Sequence, residues 1–187
     1  MVLVQKALAG TQKSYTLELG GKAANIIFAD AALDQAVEGI VNGIFFNQGH
    51  VCCAGSRLLV QESVAEEVIQ RLKDRMATLR VGDPLDKNTD IGAINSREQL
   101  DTIEKYLKIG KEEGAEVYQS KARLPNKGYF CRPTLFTGVS QSNRVVQEEI
   151  FDACSPWVAG VGDPVALMGE ALAGLVQVGY ERGPFLR

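Results

Sequence analysis

The chain has 187 residues, 45% of them hydrophobic and 23% charged, with 20 Lys+Arg against 23 Asp+Glu and a net charge of −3 when its one histidine is neutral. That composition suffices for a domain with its own core and excludes an extended disordered chain. Balanced charge without a basic block excludes nucleic acid or an anionic membrane surface as the main partner.

The opening segment MVLVQKALAG places Lys6 inside a short apolar run and has neither a secretory core nor transit-peptide character, so a cytoplasmic protein is expected. Two short β-like runs follow, at 14–19 and 24–29, separated by the turn Gly20-Gly21-Lys22. Ala36, Val37, Ile40, Val41, Ile44 and Phe45 recur at spacings of three and four, which predicts an amphipathic helix over 33–46 that Gly49 ends. After a loop at 50–55, residues 57–61 read as a buried strand. Ser63 with Glu66 forms a capping box for a second helix, whose apolar face is Val64, Val68, Ile69, Leu72, Met76 and Leu79.

Val81-Gly82-Asp83-Pro84 reads as a turn, and a third helix starts at Ser96, with Gln99 completing its box, and ends at Gly114. Strands are expected at 115–119 and 134–139, the second starting after Pro133, where proline is tolerated. Strands alternating with helices imply right-handed crossovers, hence an α/β fold with a mostly parallel sheet and helices on both faces. From Asp152 the texture changes: the last 36 residues hold six glycines, three prolines and no lysine. The chain is therefore divided into 1–151 and a divergent tail, 152–187, expected to be weakly structured. The apolar stretch 165–180 is broken by Glu170 and three glycines and is too short to span a membrane.

Four cysteines are present, at 52, 53, 131 and 154. Two are adjacent and two isolated, which matches neither a zinc pattern nor a disulfide framework; reduced thiols and no metal site are expected. In the loop Asn47-Gln48-Gly49-His50-Val51-Cys52-Cys53-Ala54-Gly55-Ser56-Arg57, small residues flank the thiols and leave room for a ligand to approach sulfur. The thiolate is the nucleophilic form. Glu18 interrupts the apolar run Leu17-Glu18-Leu19, so one face of that strand would carry a carboxylate, whose partial burial would suit it to general-base work. His50, two positions before Cys52, offers an alternative Cys-His hydrolase pairing. Neither GxGxxG nor GxxxxGK[ST] occurs, so no phosphate cradle is encoded by spacing.

Leu17-Glu18-Leu19-Gly20-Gly21-Lys22 and the stretch from Phe45-Phe46-Asn47-Gln48-Gly49 through Cys52 to Arg57 resemble the two active-site signatures of the aldehyde dehydrogenase superfamily. Further matches are Phe28-Ala29-Asp30-Ala31 with Leu33-Asp34, Val81-Gly82-Asp83-Pro84, Gly128-Tyr129-Phe130 with Pro133-Thr134-Leu135, and Glu148-Glu149-Ile150-Phe151. The resemblance covers about residues 5–151.

It implies oxidation of a small-molecule aldehyde to a carboxylic acid with NAD or NADP. Cys52 would be the nucleophile that gives a thiohemiacetal and, after hydride loss, a thioester. Glu18 would activate the hydrolytic water, and the Cys52 backbone N–H would donate to the oxyanion. Glu149 would contact the nicotinamide ribose, Phe151 would line the nicotinamide, Leu19 would border its site, and Val51 and Cys53 would shape the pocket. The same resemblance implies a homo-oligomer. His50 stands where the family usually carries Gln or Glu. The family's cofactor domain, with the Asn of its oxyanion hole, would precede residue 1, and its later motifs do not follow Phe151. A truncated form with little turnover as an isolated chain is expected. The alternative is a non-catalytic fragment serving as a binding or oligomerisation module.

Overall fold

A computed structural model describes residues 2–16, 21, 23–150 and 157–162. Helix α1 (Val2–Leu8) precedes strand β1 (Ala24–Ile27), helix α2 (Leu33–Phe45), a 3-10 turn (Phe46–Gly49) and strand β2 (Arg57–Gln61). Helices α3 (Glu62–Ala77) and α4 (Arg97–Glu112), strands β3 (Glu116–Gln119) and β4 (Thr134–Thr137), helix α5 (Arg144–Gln147) and strand β5 (Trp157–Gly162) follow. The five strands form one sheet in the order β1-β2-β5-β4-β3. Every neighbouring pair is parallel except β3-β4, which is antiparallel. The expected α/β class and mostly parallel sheet are both found.

The β1-α2-β2 unit is a parallel crossover, with Ala24 opposite Arg57 and Ile27 opposite Val60. Its helix buries the predicted stripe, Val37, Ile40, Val41, Ile44 and Phe45, and α3 adds Ala65, Val68, Ile69, Leu72 and Met76. Both cover one sheet face, the one to which β2 contributes Leu58 and Val60 and β4 contributes Leu135. The next residue of β4, Phe136, points the other way, as strand alternation requires, and packs with Val145, Val146, Tyr106 and Leu107 from α5 and α4. Helices therefore lie on both faces. Gly110 allows α4 to approach closely, because a Cβ there would lie 2.1 Å from Phe136 Cε1.

Several local expectations are corrected. Residues 14–16 form no strand, and 17–19 lie outside the described residues. The Ser63–Glu66 capping box does not form: β2 runs straight into α3, Gln61 occupies the N-cap without a side-chain cap bond, and Ser63 falls inside the first turn. The Ser96 cap does form, its hydroxyl accepting Gln99 N–H at 3.1 Å. Helix α1 and the four-residue α5 were not expected. Within the segment set apart as a tail, Trp157–Gly162 forms β5 between β2 and β4. No helix among the described residues is long and apolar enough to cross a membrane.

Candidate active site

Helix α2 stops at Phe45, one residue short of the expected Phe46, and the chain then turns left-handed. Asn47 (φ 48°, ψ 40°), Gln48 (φ 57°, ψ 24°) and Gly49 (φ 74°) all have positive φ. Glycine adopts this conformation freely and asparagine tolerates it, whereas such geometry costs roughly 1–2 kcal/mol for each residue bearing a Cβ. Hydrogen bonds hold the turn. Asn47 O accepts His50 N–H at 3.0 Å, and Asn47 Nδ2 donates to His50 O at 3.2 Å. With its amide set to satisfy both neighbours, Gln48 Nε2 donates to Asn47 O at 3.1 Å and Oε1 accepts Gly92 N–H at 2.8 Å. Bonds of about 1 kcal/mol each are of the size needed to offset the strain.

Past the turn, Cys52 and Cys53 are exposed free thiols, while Ala54, Gly55 and Ser56 are buried. Ala54 N–H donates to Val51 O at 3.0 Å and Ser56 N–H to Ala54 O at 2.9 Å, which coils the loop tightly. Its far end is fastened to β1: Asn25 Nδ2 donates to Gly55 O at 2.7 Å, and Arg57 N–H to Ala23 O at 3.1 Å. A Cβ at position 55 would sit 2.1 Å from the Asn25 amide, so this approach requires glycine.

The segment leading into β1 also meets Glu149, whose exposed carboxylate accepts Gly21 N–H at 2.9 Å through Oε1. Helix α4 steadies this second partner, Gln99 Nε2 donating to Ile150 O at 3.0 Å and Tyr106 OH donating to Glu148. Arg144 grips Glu148 with Nε to Oε1 at 2.8 Å and Nη2 to Oε2 at 3.1 Å. These bonds, Arg144 first and Tyr106 second, hold the Glu148 carboxyl down at about 2, and the same carboxylate pushes the Tyr106 hydroxyl up. Sequence reading passed over Glu148, Arg144 and Tyr106 as functional residues; the available signal was the i,i+4 spacing of Arg144 and Glu148.

Gly21, the 50–56 loop and Glu149 precede β1, β2 and β5 respectively, so these parts gather toward the amino ends of parallel strands. Open α/β sheets more commonly hold ligands at the carboxyl ends. Cys52 and Glu149 are thus both linked to the short segment 21–25. Glu18, Leu19 and Phe151 lie outside the described residues. The His50 backbone helps close the turn and the residue is half-buried. Cys131 is disulfide-bonded, which corrects the expectation of four reduced thiols. Cys154 lies outside the described residues. No group of three metal-ligating side chains occurs among the described residues.

Known proteins share this sequence and fold. The model of the aldehyde dehydrogenase family matches residues 2–154. An aldehyde dehydrogenase of Alternaria alternata is 46% identical over 149 residues, covering 79% of this chain and 30% of that protein. One from Davidiella tassiana is 44% identical, covering 80% and 30%. Among solved structures, an NAD-dependent aldehyde dehydrogenase from Sinorhizobium meliloti superposes with a TM-score of 0.79 at 36% identity, over 87% of this chain and 32% of that one. The betaine aldehyde dehydrogenase of Staphylococcus aureus, in complex with NAD+, gives 0.76 at 36% identity, over 87% and 33%. The chain thus spans about a third of the length of the relatives it matches. On the match of its sequence and of its sheet, the chain belongs to the aldehyde dehydrogenase family.

Proposed function

We propose that this chain carries the thiol chemistry of an aldehyde dehydrogenase, with Cys52 as the nucleophile. The observation that carries the reading is an exposed thiol on a loop fastened at Gly92 and Asn25, at the same end of the sheet as Glu149. Cys52 sulfur bonds to the aldehyde carbon, the carbonyl π pair moves to oxygen, and the Cys52 backbone N–H donates to that oxygen while it is charged. Protonation of the oxygen gives the thiohemiacetal. NAD or NADP, which Glu149 would help hold, would supply the acceptor for the carbon-bound hydride, and the thiohemiacetal hydroxyl would give its proton to solvent as the carbon reaches the thioester level. Glu18 takes a proton from the water that attacks the thioester carbon and releases the acid and the Cys52 thiolate.

Glu149 is the described residue fitted to the cofactor. Its carboxylate is exposed, and one oxygen holds Gly21 N–H. A carboxylate has about four acceptor sites, which leaves capacity for ribose hydroxyls. Leu19 and Phe151 are assigned beside the nicotinamide on family resemblance. On the same basis we assign 1–151 to the catalytic unit and propose a homo-oligomer, with little dehydrogenase turnover by the chain alone; a cytoplasmic place is proposed from the opening segment, where Lys6 interrupts the apolar run.

Hydrolysis of an activated acetate ester tests the nucleophile, because acyl transfer to sulfur needs no hydride acceptor. Thiol-dependent hydrolysis that disappears in Cys52→Ala and persists in Cys53→Ala supports the proposal. Its absence from the folded parent chain favours a binding or oligomerisation module.

A further inference from the structure

The motif Val81-Gly82-Asp83-Pro84 resembles its family counterpart, yet no role in the chemistry falls to it. The structure gives it a neighbour. Val81 and Ile91 pair in a parallel bridge, Gly82 N–H donates to Ile91 O at 3.0 Å, and Asp90 and Ile91 N–H both donate to Arg80 O at 2.9 and 3.0 Å. Asp90 Oδ2 accepts Arg80 N–H at 2.8 Å, so the excursion between residues 80 and 91 closes on itself. Closure leaves buried Gly92 facing the left-handed turn that precedes Cys52. Its N–H is taken by Gln48 Oε1 at 2.8 Å, and a Cβ at 92 would fall 2.9 Å from the Gln48 amide and 3.5 Å from Pro84 Cβ.

We infer that Gln48, seated on the Gly92 N–H, is a positioning residue for the Cys52 nucleophile, with the 80–92 excursion as its platform. The inference rests on the proposed role of Cys52. Gln48 itself has φ 57°, a conformation its Cβ disfavours, and its side chain bonds both the turn, at Asn47 O, and the platform, at Gly92. The energetically easier alternative for residues 46–49 is to continue α2 right-handed, which would rotate and displace everything up to Cys52. The Asn25–Gly55 bond fixes the far end of the loop and leaves the near end to Gln48. Glycine at 92 is required by the same contact, since any side chain there would push Gln48 off its acceptor position.

The test uses the whole chain, iodoacetamide as probe and site-resolved mass spectrometry, reading the rate ratio of alkylation at Cys52 to that at Cys53 across pH. In the parent, two adjacent exposed thiols held in one loop conformation should differ in rate. Loss of the hydrogen bond in Gln48→Ala should move the ratio toward one by about fivefold, the population change matching about 1 kcal/mol. Gly92→Ala should do the same. Gln48→Glu retains an acceptor for Gly92 N–H and should keep a ratio close to the parent's. If Gln48→Ala does not fold, Gly92→Ala carries the test alone. Equal rates in the parent, or an unchanged ratio in both alanine variants with melting curves like the parent's, overturn the inference. Alkylation requires no aldehyde or cofactor, so its outcome is independent of ester hydrolysis, which tests the nucleophile itself.

Discussion

Glu149 Oε1 and the Gly21 backbone N–H, 128 positions apart in sequence, meet at 2.9 Å. This bond joins the segment before β1 to the segment before β5. Because Asn25 and Ala23 in turn hold the end of the Cys52 loop, the two candidate site elements share one support.

That bond predicts a local effect. Glu149→Ala should accelerate hydrogen exchange of the Gly21 amide while leaving exchange in β2 and α3 unchanged, because an exposed hydrogen bond opens without global unfolding. Amide-resolved exchange measured by NMR checks it; unchanged Gly21 protection would show that the carboxylate does not hold this N–H in solution.

Nucleophile assignment separates three side chains that lie together in sequence. Cys52→Ala should reduce ester hydrolysis to the uncatalysed rate, whereas Cys53→Ala and His50→Gln should retain it. Loss of hydrolysis in His50→Gln, with the thiol still present by titration, would instead support a Cys-His hydrolase.

Glu148 predicts an acid limb of stability. Its folded-state pKa of about 2 lies below the ordinary 4.5, the direction produced by the Arg144 and Tyr106 bonds. The stabilisation is therefore present above about pH 4.5 and is lost as pH falls toward 2. Melting temperature should decline over that window in the parent and less steeply in Glu148→Gln. High salt should shrink the difference, since Glu148 and Arg144 are both partly exposed and screened.

Close packing at Gly110 sets a stability prediction. Gly110→Ala places a methyl 2.1 Å from the Phe136 ring edge and should destabilise by about 1–3 kcal/mol, against the usual gain from alanine in a helix. Phe136→Leu should lose stability in the parent and recover part of it in the Gly110→Ala background. A double-mutant cycle by thermal or urea denaturation measures that coupling; purely additive effects would rule out the contact as the cause.

What the sequence alone determined was whatever has a local period or a local signature. Val37, Ile40, Val41, Ile44 and Phe45 mark one helix face, the 57–61 run marks a buried strand, Ser96 marks a helix start, and the Cys52 loop marks a thiol among small residues. The Ser63 capping box was misread because neighbouring structure overrode a local preference: β2 continues directly into α3 and leaves Ser63 inside a turn. The tertiary structure alone decided which distant groups meet. Whether the 46–49 turn would be right- or left-handed depended on an acceptor contact at Gly92, 44 positions from Gln48, that no window around Gln48 contains. The place of β5 at the sheet centre and the Glu149–Gly21 bond are likewise long-range matters. Their physical basis is the same throughout. Side-chain periodicity fixes which face of an element is apolar, whereas pairing between elements is chosen by the free energy of the assembled chain, to which residues far apart in sequence contribute together.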